Sequence, residues 1–239
     1  MFGRRVESLT GIAAEDWKRL RAAFPELPAA AGTRAAARRL LLSRLASRRL
    51  RTGNWKARLV GAPPSPEPTV YVSAHWGSLA ALRYTLRARG IAVGNALGPH
   101  NLARAEAERQ DRLFDRRHPL PYPHVYEAAR AHRLRGALRK GSLILAADLP
   151  AALRVPAPLL GGRVFLDPRP FRLARAAGVP CRPAFLTLPR GRWTLTLGDP
   201  LPRDAEAALA AFAPCFAAAA RRSPLDLDGV VYRSFLEAR

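Results

Sequence analysis

The sequence predicts an α/β fold: a mostly parallel sheet flanked by helices, preceded by a basic helical N-terminal segment. Two patterns predict it. Short apolar runs alternate with longer stretches of helical periodicity over most of the chain. A proline-rich connector, residues 61–68, separates this alternating region from a leading stretch with a helical pattern throughout. With 239 residues, 49% of them hydrophobic, the chain is long enough to bury a sizeable core.

The leading segment, residues 1–60, is predicted to form basic helices that pack on the core. Residues 1–58 contain 14 basic and 4 acidic side chains, a local net charge of +10. Acids suit the first turn of a helix near Asp16, and Thr33 is a suitable cap for a second helix running to about Arg51. The large apolar side chains of the segment include Trp17, Phe24 and Leu40 to Leu42. Such a segment would cap the sheet, lie on an anionic membrane surface, or do both.

The second segment, residues 69–239, is predicted to be the α/β domain. Apolar runs predict strands at residues 69–74, 91–97, 142–147, 181–188 and 193–197. Helical spacing predicts helices at residues 79–89, 102–117, 125–140, 171–177 and 204–222. Residues 155–162 are predicted to be a loop. Gly141 and Gly178 follow helical stretches, where glycine commonly ends a helix.

Charge and cysteine content narrow the classes of partner. The chain has 40 basic and 18 acidic residues, a formal net charge of +22, which favours an anionic membrane surface as a partner. The basic residues are spread along the chain without a nucleic-acid-binding module, so no specific nucleic-acid partner is predicted. Two cysteines without CxxC spacing indicate a reduced, cytoplasmic protein. The longest apolar run, residues 207–220, contains Pro214 and is too short to predict a membrane span.

A histidine stands where a predicted strand ends and a glycine-containing turn begins a helix. After the strand at residues 69–74 come His75, Trp76, Gly77 and Ser78. Ligands of open α/β sheets bind at the carboxyl ends of the strands. His75 is therefore a candidate catalytic residue, and a structural histidine at a strand end is the alternative.

Two later segments add to this pattern. The predicted strand at residues 142–147 follows a basic helix end and a glycine, and is itself followed by Asp148. The chain then passes through Gly161 to a helix that ends at Gly178 and is followed by Val179 and Pro180. In this order the segments resemble the lysophospholipid acyltransferase superfamily, with the bacterial lauroyl and myristoyl lipid A biosynthesis acyltransferases as the most similar branch. The resemblance covers residues 11–201.

The resemblance implies an acyltransferase-like fold and a transfer reaction. A fatty acyl chain would move from acyl carrier protein (ACP) or acyl-CoA to a lipid or glycolipid hydroxyl, with no bound cofactor. Acyl carrier protein is then a candidate partner. The protein would act peripherally at the cytoplasmic face of the inner membrane. The sequence indicates no oligomeric state.

The family motif, H-x4-D/E, is degenerate in this chain. By resemblance His75 is the general base, but Ala80 stands where the acid is expected. No Asp or Glu lies between Glu67 and Glu106. Asp148, Glu127 or Asp167 would have to reach His75 instead, and we expect Asp148 to do so because neighbouring parallel strands end at the same edge of a sheet. A catalytically silent relative that binds lipid or a biosynthetic partner is the alternative that Ala80 supports.

Candidate substrate-binding residues surround these two positions in the sequence pattern. They are Trp76, Gly77, Ser78, Arg130, Arg133, Gly161 and Arg169. Core packing is the alternative for Trp76. Arginines on the helix before Gly141 are also typical of a solvated helix end. The five histidines show neither H-E-x-x-H spacing nor cysteine partners, so no metal site is predicted.

Overall fold

The predicted alternation of strands and helices is present in the computed structural model. The model describes residues 14–28, 41–49, 57–97, 125–127, 130–148 and 154–227. In these ranges the strands are β1 (Arg58–Gly61), β2 (Val70–Ser73), β3 (Val93–Leu97), β4 (Val125–Glu127), β5 (Ser142–Ala146), β6 (Val155–Leu159), β7 (Gly162–Leu166), β8 (Cys181–Thr187) and β9 (Thr194–Leu197). The helices are α1 (Ala14–Ala23), α2 (41–49), α3 (Leu79–Arg87), α4 (Ala131–Leu138), α5 (Arg169–Ala177) and α6 (Ala205–Arg222).

Seven of the described strands form one mixed sheet, in the order β1-β9-β8-β2-β5-β3-β4. Neighbours pair in parallel except for β8 and β9, which are antiparallel. The predicted α/β class with a mostly parallel sheet is confirmed. Its central strands β2 and β5 are almost wholly buried, as strands covered by helices on both faces must be.

Alternate side chains of β2 point into two separate cores, as the two-residue period of a strand requires. Val70 and Val72 join a cluster with Phe212 of α6 and Phe171 of α5. Tyr71, between them, joins a cluster on the opposite face with α3. Helix α3 is buried along residues 81–87. The sheet is thus a central layer whose carboxyl edge lies between the two helix layers.

The N-terminal segment departs from its prediction at its end. Residues Arg58–Gly61 form β1, which pairs in parallel with β9, so the last part of the predicted helical segment belongs to the sheet. A four-residue edge strand carries no periodicity from which to predict it. Trp17 and Phe24 are buried in the core, with 6% and 3% of their surface exposed, so α1 is a packed cap. Leu40 and Thr33 lie outside the described residues.

Two further predictions in the second segment are wrong. The helix predicted at 125–140 begins only at Ala131, because Val125–Glu127 is a strand paired in parallel with β3. The loop predicted at 155–162 lies in an antiparallel hairpin of β6 and β7. Its turn residues Leu160 and Gly161 both have positive φ, as tight hairpin turns require. The predicted helix at 102–117 lies outside the described residues.

Candidate functional site

The site begins with the register of two parallel strands. Ser73, the last residue of β2, is paired with Ala146, the last residue of β5. His75 and Asp148 each follow two residues later, so the same register places them side by side at the carboxyl edge of the sheet. Strand order and alignment, rather than a local motif, bring together two residues that are 73 positions apart in sequence.

Asp148 contacts His75 through both carboxylate oxygens. Its Oδ1 lies 2.9 Å from the ring Nδ1 of His75, and its Oδ2 accepts the backbone N–H of His75 at 2.7 Å. The Asp148 side chain is fully buried, whereas 17% of the His75 side chain is exposed. A carboxylate beside Nδ1 favours the tautomer with its proton on that nitrogen. In this tautomer Nε2 carries the lone pair that can accept a proton.

Ala80 takes no part in this arrangement. It lies exposed in the first turn of α3, whose first turn contains no acidic residue. The acid beside His75 comes instead from the neighbouring strand. The contact expected between His75 and Asp148 is therefore present, while their catalytic roles stay a prediction.

The turn after His75 is held by the residues predicted to bind substrate. Trp76 is 1% exposed; its indole N–H donates to the Ser223 carbonyl at 2.8 Å, and its ring packs edge-on against Phe216. This placement favours the packing interpretation of Trp76. Gly77 has φ of +84°, and a Cβ there would lie 2.0 Å from the Leu186 carbonyl oxygen. Such a close approach accounts for the glycine.

Ser78 caps the helix that follows. Its backbone is extended, and its Oγ accepts the N–H of Ala81 at 3.2 Å, the usual arrangement of an N-cap serine. Its backbone N–H donates to the Leu186 carbonyl of β8. Ser78 thus fixes where α3 begins relative to the sheet, three residues after His75.

A turn at residues 223–227 fastens the same loop from the other end of the chain. The main-chain carbonyl of Asp226 accepts the Gly77 N–H at 2.7 Å. Its carboxylate accepts hydrogen bonds from the Leu188 N–H at 2.5 Å and from the Ser223 hydroxyl at 2.7 Å. The sequence analysis missed Asp226. A Ser-Pro-Leu-Asp run signals a turn, but no local pattern tells which strand it contacts.

Arg169 lies beside the same edge of the sheet. The Asp167 N–H donates to the Ala147 carbonyl at 2.5 Å, which places Asp167 next to the strand end that carries Asp148. The Asp167 carboxylate accepts the Arg169 Nε–H at 2.7 Å and raises the pKa of that guanidinium above its ordinary value. Because 62% of the Arg169 side chain is exposed, this fixed cation faces solvent beside Asp167.

The remaining predicted site residues lie on other elements of the fold. Gly161 is in the hairpin turn at the far end of β7 from Asp167, about 20 Å of extended chain away. It packs there against Pro25 and Glu26, in the turn after α1. Arg130 pairs with Glu127 beyond the end of β4, three strand spacings from β2, or about 14 Å. Arg133 is exposed on α4.

A cavity of about 650 Å³ lies at the opposite edge of the sheet, between α5 and the start of α6. Its lining includes Cys181, the first residue of β8, whereas His75 follows the end of β2. This cavity is therefore separate from the histidine site. Burial of the Cys181 side chain raises the pKa of its thiol to about 12.

The described residues show neither a metal-ligand cluster nor a membrane-spanning helix. Within the described ranges, no three His, Cys, Asp or Glu side chains are grouped as metal ligands. In the same part of the chain, no helix has both the length and the apolar character needed to cross a bilayer.

No protein-family model matches the sequence, and no curated protein matches it significantly. The acyltransferase resemblance rests on the motif residues themselves.

Proposed function

We propose that this protein is an acyltransferase that moves a fatty acyl chain from acyl carrier protein or acyl-CoA to a lipid or glycolipid hydroxyl. One observation carries the proposal. A partly exposed histidine at the carboxyl edge of a parallel sheet is hydrogen-bonded through Nδ1 to a fully buried aspartate. This is the arrangement in which an imidazole serves as a general base for a hydroxyl.

In the proposed reaction His75 Nε2 takes the proton of the acceptor hydroxyl as its oxygen attacks the thioester carbonyl carbon. The tetrahedral intermediate then collapses, the carbon–sulfur bond breaks, and the imidazolium returns its proton to the departing sulfur. The products are an ester and a thiol. Asp148 holds the ring by its Nδ1 side and stabilises the transient positive charge.

Arg169 is the candidate for holding an anionic group of donor or acceptor. Its guanidinium is oriented by Asp167 and largely exposed, so it offers further N–H donors to a phosphate. The acceptor class, a lipid or glycolipid, comes from the family resemblance. The same resemblance underlies the proposed location, peripheral at the cytoplasmic face of the inner membrane.

Acyl transfer by the purified protein tests the proposal. Labelled acyl-CoA and acyl carrier protein are offered with a panel of lysolipid and glycolipid acceptors in anionic vesicles. We expect product from the wild type and none from His75→Ala. The matched control is His132→Ala, since His132 is an exposed histidine on α4.

A second candidate function follows from Ala80, which stands where the family acid is expected. A catalytically silent relative would bind lipid or a biosynthetic partner with the same fold. It would yield no product from any donor and acceptor pair while still binding vesicles. Full activity of His75→Ala would instead contradict the proposed base.

A further inference from the structure

Helix α2 presents an apolar face to solvent. Leu41, Leu42 and Leu45 are 49%, 39% and 50% exposed, and with Val155 they are the large hydrophobic side chains exposed in the described part of the chain. Positions i, i+1 and i+4 lie on one side of a helix, so the three leucines form a single patch. The opposite side of α2 is buried at Ser47, and Ala46, between the two sides, is buried as well. We call the three leucines the α2 patch.

The α2 patch is set in a strongly basic stretch. The helix carries Arg44, Arg48 and Arg49, all exposed, and no acidic residue. From Glu26 to Glu67 the sequence holds nine basic side chains and no acid between those two glutamates. Long arginine side chains can reach headgroup phosphates while the leucines beside them enter the acyl region.

The buried side of helix α2 contacts the histidine loop. The Ser47 hydroxyl on the buried side of α2 is 3.2 Å from the hydroxyl of Ser78. Ser78 caps α3 and follows His75 by three residues. A helix lying in a membrane interface would therefore hold the carboxyl edge of the sheet close to that membrane.

From these observations we infer that the α2 patch docks this protein on an anionic lipid bilayer. The inference rests on the proposed function in one respect: a lipid acceptor is found in a bilayer. A folded protein partner generally needs about 800 Å² on each side, far more than three leucines provide. A short apolar face among arginines instead has the composition of an interfacial helix.

Vesicle flotation tests the inference without an activity assay. The full-length protein is mixed with vesicles of phosphatidylcholine alone or with added phosphatidylglycerol, at low and at high salt. We expect binding to the anionic vesicles that weakens with salt. Replacing Leu41, Leu42 and Leu45 together by Ser should weaken it at least about tenfold, with a small fall in melting temperature because these side chains are only partly exposed and serine is a weaker helix former than leucine.

Val155→Ser is the matched control, because Val155 is an apolar side chain of similar exposure, 40%, on β6. It should leave vesicle binding unchanged. A second variant, Arg44→Gln with Arg48→Gln, should reduce binding to anionic vesicles and lessen its dependence on salt.

Unchanged binding of the leucine variant would overturn the inference, since charge alone would then account for the attraction. A leucine-dependent dimer without vesicle binding would overturn it in favour of a second copy. Leucine-dependent binding of acyl carrier protein without vesicle binding would overturn it likewise. Acyl transfer to a soluble acceptor without vesicle binding would contradict this inference but not the proposed function. Leucine-dependent vesicle binding without acyl transfer would contradict only the proposed function.

Discussion

The Asp226 carboxylate accepts the Leu188 backbone N–H at 2.5 Å, and both residues are buried. The bond joins the end of β8 to the turn that follows α6. The same aspartate uses its main-chain carbonyl to hold Gly77, two residues after His75. One side chain thus stabilises both the C-terminal turn and, through it, the loop of the candidate base.

Replacing Asp226 tests this coupling. Asp226→Ala leaves two buried donors, the Leu188 N–H and the Ser223 hydroxyl, without this acceptor, so we expect the free energy of unfolding to fall by roughly 2–5 kcal/mol. Asp226→Asn keeps one carboxamide oxygen and should cost less. Urea denaturation measures the three proteins. Equal stability of Asp226→Ala and the wild type would show that the turn does not fasten the loop.

Gly77 and Gly90 form a matched pair for a second test. Their φ angles are nearly equal, +84° and +83°, but a Cβ at Gly77 would meet the Leu186 carbonyl whereas a Cβ at Gly90 meets nothing within 4 Å. Gly90→Ala should cost only the left-handed backbone strain, about 1–2 kcal/mol. Gly77→Ala adds a backbone collision and should cost more, measured again by urea denaturation. Similar losses for both variants would contradict the close approach.

Asp148→Asn isolates the role of the charged carboxylate. It preserves the shape of the side chain and one acceptor oxygen, so the protein should stay folded. Loss of the orienting acid in a hydrolase triad lowers turnover by about 10⁴, and we expect a loss approaching that size here. Turnover is compared with that of Asp199→Asn, an exposed aspartate away from the site. Activity within a factor of about ten of the wild type would exclude Asp148 as the orienting group.

Ala80→Glu restores the acid that the family motif expects. Asp148 already occupies the Nδ1 side of His75, so we expect transferase activity to change little. The new glutamate would lie exposed in the first turn of α3, where a negative charge stabilises a helix by about 0.3–1 kcal/mol. Thermal unfolding and turnover measure the two effects. A large gain in activity would mean that Asp148 does not replace the missing acid.

The thiol of Cys181 should be unreactive in the folded protein. Burial raises its pKa from 9.0 to about 12, so at pH 8 almost no thiolate is present. Between pH 9 and pH 12 this thiol is ionised in the unfolded chain but protonated in the folded chain. Its contribution to the free energy of unfolding is therefore constant below pH 9 and is lost as the pH rises towards 12. Alkylation at pH 8, with and without urea, followed by peptide mass analysis, checks the reactivity. Rapid labelling of Cys181 in the native state would contradict its burial.

The sequence was most informative where local pattern and sheet geometry agree. The strands that became β2 and β5 are short apolar runs, and the rule that neighbouring parallel strands end together was enough to expect Asp148 beside His75. Helix α6 likewise follows from its continuous helical pattern, and the structure adds that Asp204 is its N-cap.

Features set by long-range pairing could not be predicted in this way. Strand β1 has four residues and is defined by its pairing with β9, more than 130 positions later. The β6–β7 hairpin contains prolines at 156 and 158, which local propensity counts against a strand, although the register places both at pairs that need no N–H from β6. Trp76 suggested a pocket because its pattern gives no sign of the Ser223 carbonyl, 147 residues away, that its indole contacts.

That contact between Trp76 and Ser223 also sets the order of events in biosynthesis. While the ribosome is still adding residues of α6, β2 and its histidine have been made, but the loop does not yet have its partners Ser223 and Asp226. The loop acquires its hydrogen bonds to Ser223 and Asp226 only after the chain has emerged past residue 227. A nascent chain therefore has every residue of the candidate dyad well before the C-terminal turn can fasten the histidine loop from its other side.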